Sequence, residues 1–81
     1  LAQYNLVVAN NVINNNNGSG VNHVAVLRGI YLNTATSANV SVLNNTLTLA
    51  SAATGAQMSA IENVSGATSA NNTVSINNNL I

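Results

Sequence analysis

The pattern of Val40-Ser41-Val42-Leu43-Asn44-Asn45-Thr46-Leu47 occurs three times in the chain and is the main indication of its fold. Related stretches occupy residues 6–13 and 74–81, so the offset to the copy before and to the copy after is the same. Each copy has apolar residues at its first, third and eighth positions and asparagines at its fifth and sixth. This pattern predicts a short strand, a corner and the start of a second strand.

The composition is that of one small domain with very few charges. The chain has 81 residues and no cysteine, and its aromatic residues are Tyr4 and Tyr31. Arg28 and Glu62 are its only permanently charged side chains, whereas asparagine is the most frequent residue type. An average globular domain carries about a quarter charged residues. We therefore expect an extracellular or cell-surface location.

Two classes of partner are disfavoured by the same composition. Binding to a nucleic-acid backbone requires several Lys or Arg side chains, and one Arg cannot supply them. Even the longest uninterrupted apolar runs, such as residues 24–27, are far shorter than the roughly 20 residues that span a bilayer. We expect no nucleic-acid partner and no insertion into a membrane.

A second strand also recurs. Residues 27–32 match residues 58–64, with Gly29 aligned on Ala60 and Ile30 on Ile61, and the small polar turn at 35–39 returns at 67–71. The offset between copies varies from 31 to 34, so insertions fall in the predicted loops, chiefly 14–20 and 50–57, while the strands keep register. Residues with poor helix propensity dominate, so we expect almost no helix.

Strands that recur once in every repeat must stack to bury their apolar faces. The fold class predicted is therefore all-β, a parallel β-helix (β-solenoid) with about 34 residues per repeat. Residues 1–81 form a single segment of about 2.4 repeats, interpreted as an excerpt of a longer solenoid. An alternative is that each repeat makes two short coils of about 17. The residues predicted to point inward are Val40, Val42, Leu47 and Leu49, with Val8, Ile13, Val74, Ile76 and Ile81 in matching layers.

The paired asparagines mark the corner between the two strands. Inward positions slip by one residue there, and Asn tolerates the left-handed backbone that such a slip requires. Stacked asparagine amides can also donate hydrogen bonds to one another. We predict an asparagine ladder at Asn11, Asn45 and Asn79. The alternative is that each asparagine caps its own turn.

The stretches Gly29-Ile30-Tyr31-Leu32, Asn39-Val40-Ser41-Val42 and Asn44-Asn45-Thr46-Leu47 together resemble one coil of a known repeat. It is the right-handed parallel β-helix repeat of pectate-lyase-like and NosD-like proteins. The chain is most similar to Asn/Ser/Thr-rich secreted surface repeat proteins of Bacteroidetes. The resemblance covers nearly the whole chain and implies the fold. It implies little about function.

Catalysis needs side chains that this sequence lacks. The usual route of glycoside hydrolysis takes two carboxylates, and lyases of the resembling family rely on acidic calcium ligands. With one Glu, no Asp and an isolated His23, we expect no enzyme, no cofactor and no metal.

Arg28 and Tyr31 are the candidate ligand contacts. Tyr31 offers a ring to a sugar, although partial burial under a loop is the expected position for both tyrosines. Arg28 and Glu62 have opposite parity relative to Ile30 and Ile61, so we expect them on opposite faces as two solvated charges rather than as a salt bridge.

The function predicted is a structural segment of a stalk, fibre or adhesin shaft. The first alternative is a carbohydrate-binding or polysaccharide-processing module with glycans as partners. The second is a self-assembling extracellular filament subunit, which associates through open solenoid ends or neighbouring coils. Identical chains stacked head to tail would leave more than half of a repeat missing at each joint, because the third repeat is incomplete.

Overall fold

A computed structural model of the chain describes residues 5–15, 23–33, 39–64 and 73–81. These residues form seven strands and no helix, as the composition predicts. The strands are β1 Asn5–Ala9, β2 Val12–Asn14, β3 Leu27–Leu32, β4 Asn39–Leu43, β5 Thr46–Thr48, β6 Met58–Asn63 and β7 Thr73–Asn77. The described segments contain no helix long and apolar enough to cross a bilayer.

Some predicted features lie outside the described residues. These are Tyr4, the polar turns apart from Asn39, and the 16–20 part of the first loop. Asn14, predicted to begin that loop, is instead the last residue of β2.

Every strand pairs in parallel with a strand from the neighbouring copy of the repeat. Sheet A has the order β1-β4-β7, sheet B consists of β2 and β5, and sheet C consists of β3 and β6. The chain thus passes through sheets A, B and C in turn and then begins the same order again. The prediction of an all-β chain with parallel strands is confirmed.

The register follows the repeat in the sequence. In sheets A and B paired residues are 34 apart, as in Leu6 with Val40 and Ile13 with Leu47. In sheet C the spacing is 31, with Ile30 beside Ile61. The predicted drift in offset is confirmed. Neighbouring strands in a sheet are a full repeat apart in sequence, which disagrees with the alternative of two short coils of about 17 residues in each repeat.

A left-handed residue forms the corner between sheets A and B. Asn10, Asn44 and Asn78 have φ angles of 60°, 56° and 55°, in the region that L-residues other than Asn and Asp rarely adopt. Each is the first asparagine of its pair. The second asparagine of each pair, at positions 11, 45 and 79, is not among the residues with a positive φ.

The core lies between the three sheets. Its buried residues are Ile30, Leu32, Val40, Val42 and Leu47, and the partly buried residues Leu6, Val8, Ile13, Ala60, Ile61 and Val74 pack against them. The inward positions of β4 and β5 are the best covered, because both strands have neighbours on two sides. Strand β4 lies between β1 and β7, and β5 pairs with β2 and is bridged through Thr46 to Leu80.

Two residues predicted to point into the core are exposed. Ile76 is 44% exposed and Ile81 is 75% exposed, since no described strand covers the far side of β7 or of Leu80. Leu49, predicted with them, is half-buried.

In strand β3 of sheet C, the alternation of inward-facing and outward-facing side chains is interrupted. Leu27 and Gly29 are partly buried and Arg28 is exposed, yet the next residue, Ile30, is buried too and Tyr31 is exposed. A Cβ at Gly29 would lie 2.6 Å from the Ala60 carbonyl oxygen and 2.6 Å from Leu47 Cδ2. Gly29 therefore permits an approach of the two strands that no other residue would allow.

Candidate functional site

The second asparagines of the three corners are joined by hydrogen bonds that run from one copy of the repeat to the next. The backbone N–H and the side-chain Nδ2 of Asn11 both donate to Asn45 Oδ1 at 3.0 Å. The same two groups of Asn45 donate to Asn79 Oδ1, again at 3.0 Å. The three asparagines chosen from the sequence are thus joined to one another, through bonds that connect one copy of the repeat to the next.

The remaining amide protons bond to the backbone. Asn45 Nδ2 also donates to the Val8 carbonyl oxygen at 2.9 Å, and Asn79 Nδ2 donates to the Val42 carbonyl oxygen at 3.0 Å. Asn45 is only 1% exposed, and its oxygen accepts two bonds while both of its amide protons are donated. A buried amide in this position costs little because all of its polar atoms have partners.

The exposed side of sheet C carries a second polar group of residues, which we call the polar cluster: Arg28, Tyr31, Gln57, Ser59 and Glu62. Arg28 Nε lies 2.6 Å from Glu62 Oε2, and Arg28 Cζ lies 4.6 Å from the centroid of the Tyr31 ring. Gln57 Nε2 donates to the same Glu62 oxygen at 3.2 Å and to Ser59 Oγ at 2.7 Å. Both permanent charges of the chain therefore meet in one place.

The expectation that Arg28 and Glu62 lie on opposite faces is wrong. The break at Gly29 shifts Arg28 onto the exposed face that also carries Tyr31. Glu62 is the register partner of Tyr31, so its carboxylate reaches the guanidinium above the ring. The spacing of 34 residues between the two charges did not point to this pairing, because sheet C pairs residues that are 31 apart and Glu62 lies three residues beyond Ser59, the register partner of Arg28.

The side chains of the polar cluster are partly exposed, and their ion pair is weak. The Arg28 side chain is 36% exposed and that of Glu62 is 23% exposed, so water screens the ion pair and the pair contributes about 1 kcal/mol or less. Tyr31 is 45% exposed, so it is partly buried, and the Arg28 guanidinium lies over its ring. Sequence reasoning chose Arg28 and Tyr31 as ligand contacts, and the structure adds Gln57, Ser59 and Glu62 beside them.

His23 contacts the residues just before β3 and the loop that follows β5. Its Nε2 lies 3.1 Å from the Val26 carbonyl oxygen, and its own carbonyl oxygen accepts a bond from Ala52 N at 2.9 Å. Across the described residues, no three His, Cys, Asp or Glu side chains are grouped closely enough to hold a metal ion.

An apolar cavity of about 370 Å³ opens beside β6. It is lined by Leu47, Thr48, Leu49, Met58, Ala60 and Ile81. Among the described residues sheet A has three strands and sheet C has two, and the cavity adjoins Met58 and Ala60 of β6.

Comparison with protein-family models, with curated proteins and with solved structures finds no match for this chain.

Proposed function

We propose that this chain is a structural segment of an extracellular β-solenoid and forms part of a stalk, fibre or adhesin shaft. Each passage through sheets A, B and C is one coil, and equivalent residues of successive coils are 34 apart in sheets A and B. The segment performs no reaction of its own. Its role is to set length and stiffness.

The asparagine ladder is the observation that carries this proposal. Four hydrogen bonds of 3.0 Å connect Asn11, Asn45 and Asn79 across successive copies of the repeat. A polar side chain that is 1% exposed and bonded to the copies before and after it contributes to stacking and is not accessible to a ligand. Such interactions favour one register and oppose slippage between strands.

The charges of the chain also serve internal contacts rather than external ones. Arg28 and Glu62 bond to each other across the two strands of sheet C. The face that surrounds them is uncharged, which suits a surface that lies in bulk solvent or beside identical shafts. The low charge of the sequence supports an extracellular location on the same ground.

Insertion of whole repeats tests the proposal. A stack of parallel strands grows by about 4.8 Å per added coil. Ten further copies of residues 40–73 inserted after residue 73 should lengthen the particle by about 48 Å and leave its cross-section unchanged. Small-angle X-ray scattering measures both quantities. A cross-section that grows with the number of copies would exclude a solenoid.

The polar cluster favours a second candidate function, binding of a glycan. The exposed Tyr31 ring can pack against the apolar face of a sugar, while the guanidinium of Arg28 and the carboxylate of Glu62 can bond to its hydroxyl groups. A glycan array should then show saturable binding that Tyr31→Ala abolishes. Val12→Ala is the matched control, because Val12 is 81% exposed on sheet B, away from the cluster. An array without any binding would leave only the structural function.

A further inference from the structure

The exposed asparagines of the corners are chemically vulnerable. Asn10 and Asn44 are exposed to water, have a left-handed backbone conformation, and are each followed by a second asparagine. An exposed asparagine can lose its side-chain amide through attack by the backbone nitrogen of the following residue. The nitrogens that would attack here are those of Asn11 and Asn45, and both belong to the ladder.

Deamidation of Asn44 would begin when the backbone nitrogen of Asn45 gives up its proton and forms a bond to Cγ of Asn44. The bond from Cγ to the side-chain nitrogen then breaks, and that nitrogen leaves as ammonia with the proton that the backbone nitrogen released. The product is a cyclic succinimide. One water molecule opens the ring at either of its carbonyl carbons, which gives an aspartate or an isoaspartate at position 44. The reaction therefore consumes only water.

We propose that the asparagine ladder holds the corner asparagines unreactive, so that Asn44 is deamidated only where the stack opens. The Asn45 backbone N–H donates to Asn79 Oδ1 at 3.0 Å, and the Asn11 backbone N–H donates to Asn45 Oδ1 at 3.0 Å. A nitrogen in such a bond keeps its proton and points at its acceptor, whereas the reaction needs it deprotonated and directed at the preceding side chain. The hydrogen bond must therefore break before the ring can form.

The buried asparagine of the same corner is protected in three ways. Its attacking nitrogen would be that of Thr46, which donates to the Asn11 carbonyl oxygen at 2.8 Å. Its leaving group would be Nδ2, which itself donates two hydrogen bonds. Asn45 is also only 1% exposed, so the water that opens the ring has little access to it. Within this corner, modification is therefore expected at Asn44 rather than at Asn45.

Amide hydrogen exchange reports the same opening of the ladder. Exchange of the Asn45 N–H also requires that its bond to Asn79 break and that the nitrogen lose its proton. Folding should therefore slow deamidation of Asn44 and exchange of the Asn45 N–H by similar factors. We expect each factor to be about tenfold or more, since at least two hydrogen bonds open together.

The repeat supplies a matched reference site inside the same chain. Asn10 and Asn44 have the same following residue, so they should be deamidated at equal rates in the chain unfolded by urea. Incubation in water enriched in heavy oxygen labels only those carboxyl groups that form during the experiment. Trypsin separates the two sites by cleaving after Arg28, the only Lys or Arg of the chain. Tandem mass spectrometry then assigns each modified residue.

Two substitutions of Asn79 separate the effect of the hydrogen bond from that of general stability. Asn79→Ala removes the oxygen that accepts the Asn45 N–H, while Asn79→Asp keeps an acceptor oxygen there. Neither removes the bond from Asn11 to Asn45 that protects Asn10. In folded Asn79→Ala, deamidation of Asn44 should rise about fivefold or more relative to Asn10, the effect of losing one ordinary hydrogen bond. In Asn79→Asp this ratio should keep its wild-type value.

Three results would overturn the proposal. One is deamidation of Asn44 that is as fast in the folded wild-type chain as in urea. Another is a ratio that does not change in Asn79→Ala although the Asn45 amide exchanges faster. The third is an equal rise of the ratio in Asn79→Ala and Asn79→Asp, since the second variant keeps the acceptor.

The wild-type chain decides the matter if Asn79→Ala does not fold, which circular dichroism and a simultaneous rise at Asn10 and Asn44 would reveal. Low concentrations of urea shift the stack toward opening. As urea is added, deamidation of Asn44 and exchange of the Asn45 N–H should increase in parallel. Rates that change independently of each other would overturn the proposal, because the ladder bond would then not control the reaction.

Discussion

The corner between sheets A and B and the pairing in sheet C hold successive repeats together in different ways. At the corner, the side chains of Asn11, Asn45 and Asn79 bond to one another at a constant spacing of 34 residues, and they also bond to backbone carbonyl groups. In sheet C the spacing is 31, a glycine lies at a break in the alternation, and the connecting side chains are an exposed ion pair.

The difference shows which parts of a repeat tolerate change. The ladder loses several bonds when Asn45 changes, because this residue accepts two hydrogen bonds at its oxygen and donates two from its amide nitrogen. Removal of an exposed ion pair changes the free energy of unfolding little, since water solvates both charges. The corner therefore fixes the register of the stack, and sheet C accommodates insertions and deletions in the loops beside it.

Removal of the central ladder residue should have the largest effect. Asn45→Ala removes a side chain that is 1% exposed and leaves Asn11 N, Asn11 Nδ2 and the Val8 carbonyl oxygen without their partner. Each unsatisfied group costs about 1–3 kcal/mol, so we expect a loss of about 4 kcal/mol in the free energy of unfolding. Urea unfolding followed by circular dichroism measures it.

The control for this change is Asn39→Ala, in the same strand region but exposed. It should alter stability by about 0.5 kcal/mol or less. Equal effects at Asn39 and Asn45 would mean that the ladder contributes nothing beyond the ordinary loss of an amide side chain.

Gly29→Ala comes next and tests the close approach in sheet C. The added methyl group would meet the Ala60 carbonyl oxygen and Leu47 Cδ2, each at 2.6 Å, so the strands must separate. Overpacking of this kind costs about 2 kcal/mol. Gly55→Ala is the matched control, because nothing lies within 4 Å of the added atom. If the two variants are equally stable, the approach at Gly29 is not tight.

Asn44→Ala should cost less than Asn45→Ala, although the two residues are neighbours. Asn44 has a φ of 56°, and placing Ala in this conformation costs about 1 kcal/mol. Asn44→Gly should recover most of the loss, because glycine adopts the left-handed region freely. The same urea unfolding measures all three variants. A larger loss at Asn44 than at Asn45 would reverse the roles assigned to the two asparagines.

The ion pair should give the smallest effect. A double-mutant cycle with Arg28→Ala and Glu62→Ala should yield a coupling free energy of about 0.5 kcal/mol that falls as salt is added. A coupling energy above about 2 kcal/mol, independent of salt, would show that sheet C is held as strongly by its side chains as the corner is by its ladder.

The sequence predicted the parts of the fold that it repeats. The strands, the register of 34 and the ladder positions follow from three copies of one pattern, because stacking forces equivalent residues next to each other. It was also clear that one residue of the asparagine pair must turn the backbone. Only the structure shows that Asn44 performs this task while Asn45 forms the ladder.

The polar cluster and the exposed end could not be predicted in the same way. The alternation rule assumes an unbroken strand, and the break at Gly29 depends on a close contact with Ala60, which is remote in sequence. Ile76 and Ile81 obey the inward pattern, but burial requires a further layer as well as a direction. Periodicity specifies where a side chain points and leaves open what covers it.

The most direct test of the asparagine ladder is an NMR measurement of coupling across hydrogen bonds in isotopically labelled protein. We expect a coupling from the backbone nitrogen of Asn45 to the side-chain carbonyl carbon of Asn79, whose oxygen lies 3.0 Å away. The bond from Thr46 N to the Asn11 carbonyl oxygen, at 2.8 Å, is the positive control. If the control coupling is present and the Asn45 coupling is absent, with Asn45 exchanging as fast as a solvated amide, the ladder does not exist.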